Sequence, residues 1–113
     1  MGHTIAKYER LTEALRRARA AALLAAEENP EDGGTCNFDA PALALPRWNE
    51  KRVKEAAEKA GVGCFKWNFY GAVRYVFPMR AGGQANSRTR AAEAAKDVLE
   101  ADGWKTLMYY QMD

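Results

Sequence analysis

The densest group of residues able to bind something lies late in the chain. Arg80, Gly82, Gly83, Asn86, Arg88 and Arg90 stand in one stretch, and no carboxylate interrupts it between Met79 and Ala92. Asn86 or Ser87 is a natural N-cap. The stretch therefore leads into a helix whose free backbone N–H groups, positive dipole end and guanidinium forks converge on an anion. Asp97, Glu100 and Asp102 fall at the other end of that helix. This reverses the order a helix dipole favours, at about 0.3–1 kcal/mol for each misplaced exposed charge. The stretch is a candidate anion- or partner-binding site. The alternative is a solvated loop whose arginines pair with acids such as Asp39 or Glu28. It is not a Walker-type phosphate loop, because the Gly-Lys-Ser/Thr ending is missing.

Catalytic chemistry is thinly supplied. Cys36 and Cys64 form no C-x-x-C spacing, and the single histidine, His3, sits beside the N-terminus. Both cysteines fall in predicted strands, where a thiol acts as a small buried apolar group. A Cys–His nucleophile pair would need His3, a poorly anchored base. The acids lie at helical spacing among lysines and arginines, the pattern of a solvated face. The expectation is no catalytic residue, no metal and no cofactor.

These residues must be positioned by one modest domain. The chain has 113 residues, 48% apolar and 28% charged, with net charge +2, a globular balance that argues against disorder. The length fits a single domain spanning 1–113. So small a net charge leaves any nucleic-acid partner to local clusters. No run approaches the roughly 18–20 apolar residues of a membrane span, and the start M-G-H-T-I-A-K-Y-E-R has no secretory core. A myristoylation signal needs a small hydroxyl residue at or beside Lys7, and none stands there.

Periodicity sets out the elements. Tyr8, Leu11, Leu15, Ala18, Ala22 and Ala25 share one face of a helix over 4–28, capped by Thr4 and stopped by Asn29-Pro30. Its second half is apolar nearly all round, so it lies across the domain or pairs with a second copy. A turn-rich connector leads to a strand at Thr35–Asp39, which Pro41 and Pro46 mark as an edge strand. Asn37, Phe38 and Asp39 read as strand-end capping, and Arg16, Arg17 and Arg19, partly balanced by Glu13, as a solvated helix face. A second helix runs from Arg47 or Asn49 to Ala60, with Val53, Ala56, Ala57 and Ala60 inward and Gly61 as its stop. Alternating runs around Phe65, Trp67 and Phe69 and around Val73, Tyr75 and Phe77 form a hairpin about Tyr70-Gly71. A third helix covers Ser87–Ala101, with Asp102-Gly103 as stop. A last strand covers Trp104 to Gln111.

The order over 35–111 is β-α-β-β-α-β, so the fold class is α+β, a ferredoxin-like four-stranded antiparallel sheet preceded by a long helix. Both crossover helices go to one sheet face. The other face is covered by the N-terminal helix, used as an aromatic platform built on Phe65, Trp67, Tyr75 and Phe77, or joined to a second copy.

Two passages carry a resemblance. L-P-R-W followed by F-K-W-N-F-Y-G-A-V-R-Y-V-F, and G-Q-A-N-S-R-T-R-A-A-E-A-A leading to Y-Y-Q-M-D, together span Leu45 to Asp113. They resemble small phage and mobile-element proteins of the anti-CRISPR type. The resemblance implies a non-enzymatic inhibitor that binds a bacterial Cas effector or its guide-RNA complex in the host cytoplasm and blocks target DNA. It transfers no site residues. Separately, G-A-V-R-Y-V-F at Gly71–Phe77 resembles the aromatic octapeptide of RNA-recognition motifs, departing from it at Tyr70 and Val73. That implies the alternative, a single-stranded nucleic-acid binder stacking bases on Phe65, Trp67, Tyr75 and Phe77 and holding phosphates with Arg80, Arg88 and Arg90. Either protein is a monomer, or a homodimer through its N-terminal helix, with no membrane partner.

Overall fold

The computed structural model describes the backbone of residues 2–28, 37–69, 71–79 and 85–112, and the side chains of residues 6–26, 40–69, 71–79 and 90–109. Its elements in chain order are α1 (Gly2–Glu28), β1 (Asn37–Leu43), α2 (Glu50–Ala60), β2 (Phe65–Phe69), β3 (Ala72–Val76), α3 (Ala85–Ala101) and β4 (Thr106–Met112). α1 and α3 begin before their expected caps, so Thr4, Asn86 and Ser87 lie inside the first turns.

α2 has the ends its sequence announces. The Asn49 side chain accepts the Arg52 N–H at 3.1 Å. Gly61 adopts φ 85° and donates its N–H to the Ala57 and Glu58 carbonyls, a conformation that favours glycine. The Arg19 side chain packs 3.5 Å from where a Cβ on Gly61 would stand. Val53, Ala56, Ala57 and Ala60 are all buried.

The strands form one sheet in the order β2-β3-β1-β4, every neighbouring pair antiparallel. This corrects the expectation for β1, which is central and not an edge. Pro41 survives there because of the phase of the ladder. The Phe77 N–H donates to the Pro41 carbonyl at 2.9 Å, so the missing proline N–H would also face β3. Pairing between β1 and β3 is short, Ala42 with Val76 and Leu43 with Tyr75, and the lost donor falls where β3 ends.

α1 is the second correction. It does not cross the free sheet face. It packs against α2 and α3, and its Leu11, Ala14, Leu15, Ala18 and Ala22 are fully buried in one cluster with Val53, Ala95, Leu99, Leu43 and Phe77. All three helices therefore share one side of the sheet. The α1 stripe is lined with alanines, which lets helix backbones approach closely; larger residues there would hold the layer apart.

Polar and aromatic contacts fix α1 in place. The Tyr8 hydroxyl accepts the Asn49 N–H at 2.8 Å. The Tyr8, Trp48 and Trp104 rings form an edge-to-face ladder with centroids 5.1 and 5.9 Å apart, and the Lys7 ammonium lies 4.6 Å from the Trp48 centroid. Arg17 pairs with Asp102 at 3.1 Å, and Asp102 also accepts the Trp104 indole N–H at 2.9 Å. Glu100 pairs with Lys96 at 2.9 Å. Two of the acids at the end of α3 that the dipole disfavours, Glu100 and Asp102, are thus held by i,i+4 and tertiary partners.

Candidate interaction face of the sheet

The face away from the helices is built by register. Phe65, Trp67 and Phe69 on β2 pair with Val76, Arg74 and Ala72 on β3. Val76 pairs with Ala42 on β1, Ala42 with Leu107 and Ala40 with Tyr109 on β4. Directly paired residues share a face, so these residues form the open side. Ala40, Ala42, Val76 and Tyr109 make a second buried cluster, with Phe65 and Phe69 packed on it.

Its geometry is an arch of rings over a floor of alanines. Tyr109 stands on one edge strand, and Phe65, Trp67 and Phe69 stand on the other. The small side chains of Ala40 and Ala42 between them leave room for the rings to lean inward. The Tyr109 ring meets all three edge-on, at centroid distances of 5.6, 5.4 and 6.1 Å, the arrangement the aromatic quadrupole favours. Tyr109 is consequently only 6% exposed on a face that none of the described helices covers, while Trp67 is 49% and Leu107 40% exposed. Arg74 is half-buried opposite Trp67.

The structure divides the expected platform. Phe65 and Trp67 lie on the open face. Tyr75 and Phe77 do not: Tyr75 pairs with Lys66, and both Tyr75 and Phe77 are buried beneath the helices. Phe69, Arg74 and Tyr109 share the open face with Phe65 and Trp67. The parity was readable in principle. A two-residue turn at Tyr70-Gly71 sets Phe69 against Ala72, which places odd residues of β2 opposite even residues of β3. Tyr109 gave no such signal, because its partners come from the far edge of the sheet.

The expected anion site lies largely outside the described residues. Arg80, Gly82 and Gly83 fall there entirely. Asn86 and Arg88 lie in the first turn of α3, with side chains outside the description, as are those of His3, Phe38 and Asp39; Cys36 is outside it altogether. Arg90 is half-buried, and its Nε is shielded from water with no hydrogen-bond partner among the described residues.

The remaining reactive groups are quiet. Burial pushes the Cys64 thiol from its ordinary 9.0 up to about 11, which suppresses the nucleophilic thiolate. Burial likewise raises the Tyr75 hydroxyl. Lys54 and Lys66 hold the Glu50 carboxyl below its usual range through hydrogen bonds and charge. A cleft of about 760 Å³ between α1 and α2 mixes Glu9, Glu13 and Glu55 with Arg16, Lys51, Arg52 and Lys59, a mixed-charge and solvated lining. Among the described residues no group of three His, Cys, Asp or Glu gathers as a metal site, and no helix is long and apolar enough to cross a membrane. Compared with known proteins, the chain matches no family model, no curated protein and no solved structure.

Proposed function

We propose that this chain is a non-enzymatic binding protein that takes a protein partner on the open, ring-lined face of its sheet. Read from β4, the strand order is β4-β1-β3-β2, with α2 and α3 as crossovers. We take this as the ferredoxin-like arrangement with an added helix, a fold that hosts many functions and decides none. The observation that carries the reading is Trp67, half in water at 49% exposure on an otherwise packed aromatic cluster. Leu107 extends that apolar surface, and Arg74 adds a cation beside it. Trp and Arg dominate binding hot spots, and a ring held by its neighbours on a strand loses little freedom when covered.

By the resemblance to anti-CRISPR-type proteins, the partner is a bacterial Cas effector or its guide-RNA complex, met in the host cytoplasm, and binding blocks target DNA. The direct experiment measures binding of purified Cas effector complexes to the immobilised chain, parent against Trp67→Ala. The expected result is at least a tenfold loss for the variant, about 1.4 kcal/mol, with an unchanged circular dichroism spectrum. A folded Trp67→Ala variant that binds as the parent does would move the functional surface elsewhere.

One observation favours the second reading, a single-stranded nucleic-acid binder. Trp67 and Arg74 are neighbours, so a base on the ring and a phosphate on the guanidinium fit together. With Tyr75 and Phe77 in the core, that platform is narrower than the sequence suggests. Salt separates the two readings. Nucleic-acid affinity falls steeply between about 50 and 200 mM salt, whereas docking on an apolar face holds.

A further inference from the structure

We propose that β4 is a pairing edge for a second copy of this chain, which adds antiparallel to it and makes one eight-stranded sheet from two molecules. In an antiparallel pair, alternate residues turn both backbone groups toward the partner, and those between turn them away. The Ala44 N–H donates to the Lys105 carbonyl at 3.2 Å, and the Phe77 N–H donates to the Pro41 carbonyl at 2.9 Å. Given the pairs Ala42 with Leu107 and Pro41 with Met108, both bonds set the same phase. Leu107, Tyr109 and Gln111 bond to β1. Thr106, Met108, Tyr110 and Met112 direct their N–H and C=O groups outward, where no strand among the described residues pairs with them.

Sheet proteins blunt such edges with short strands, lysine, proline or bulges. The opposite edge follows that rule: β2 has five residues and carries Lys66, paired with Glu50 at 3.2 Å. β4 breaks it. Its seven residues, Thr-Leu-Met-Tyr-Tyr-Gln-Met, include no charge, glycine or proline, and Leu107 is 40% exposed beside the free edge. The occupant that fits is the strand itself. An uncharged strand has no repulsion against its own copy, and antiparallel addition is self-complementary under a two-fold axis, the commonest oligomer symmetry. Overlap of all seven residues centres that axis on Tyr109 and sets the two open faces side by side. Edge pairing alone buries less than the roughly 1,200–2,000 Å² of a standard interface, so the dimer depends on concentration. The β4 backbone edge and the Trp67 face share Leu107, but self-association is read on the chain alone with no partner present, so the two proposals fail independently.

Analytical ultracentrifugation of the full chain, from low to high micromolar concentration, tests this. The mass should rise from 12.6 kDa toward twice that value and stop there. Met108→Pro removes one outward N–H and no bond to β1. Leu107→Lys places a gatekeeping charge at an exposed position. Both variants should remain monomeric at every concentration, with unchanged circular dichroism, and Leu107→Lys decides the matter if Met108→Pro fails to fold. A parent that stays at 12.6 kDa, a mass that grows past two copies, or a Leu107→Lys variant that associates as the parent does would each overturn the proposal.

Discussion

Replacing Tyr109 by Ala separates the part of the open face that holds the sheet together from the part free to bind. Tyr109 is 6% exposed and touches three rings drawn from the opposite edge strand. Truncating an aromatic side chain in a closed core costs about 3–5 kcal/mol. Here the site opens to water on one side and neighbouring rings can settle into the gap, so the cost falls below that range, to about 2–3 kcal/mol. Trp67→Ala, already half in water, should cost about 1 kcal/mol. Tyr109→Phe keeps the ring contacts and should stay within about 1 kcal/mol of the parent. Against a total stability of about 5–15 kcal/mol, the Tyr109→Ala loss is large enough to read clearly. Urea unfolding followed by far-ultraviolet circular dichroism gives the ranking, independent of tryptophan emission. If Trp67→Ala costs more than Tyr109→Ala, or Tyr109→Ala lies within about 0.5 kcal/mol of the parent, the four rings do not pack as one unit and the arch is wrong.

Three further outcomes follow from the core and the caps. Leu15→Ala, at a fully buried position on α1, should cost about 2–5 kcal/mol in one cooperative transition; a separate second transition would mean α1 is not part of the core. Asn49→Ala removes the α2 cap and should cost about 1 kcal/mol, read from the urea midpoint. Stability should fall as pH rises from 9.0 toward about 11 through Cys64. The unfolded thiol releases its proton at the ordinary value while the folded one holds it longer, so alkali favours the unfolded chain. Urea midpoints across that range should flatten in Cys64→Ala, with Tyr75 still contributing at higher pH; an unchanged slope would show that the thiol is not desolvated.

Local signals read well. Asn49 and Gly61 bound α2 where their side-chain and backbone chemistry put them, and the inward faces of α1 and α2 were legible because a 3.6-residue period is a property of neighbours in sequence. The order of strands and helices was legible for the same reason. The candidate site was legible only in part: Phe65 and Trp67 were found, but Tyr75 and Phe77 were assigned to the wrong face.

What the sequence alone determined is therefore the set of elements, the two ends of α2, and an α+β fold with apolar surface on both sides of its strands. Tertiary structure decided which surface stays open. α1 could cover either side of the sheet on hydrophobicity alone; its alanine stripe is matched by alanines on α2 and α3, and close helix packing wins over lying across aromatic strands. Pro41 marks an edge by local rule, yet β1 is central because the one donor it lacks falls where β3 ends. Tyr109 meets Phe65, Trp67 and Phe69 across the whole width of the sheet, because two alanines on β1 leave the space. That contact joins residues some forty positions apart, and no local pattern encodes it.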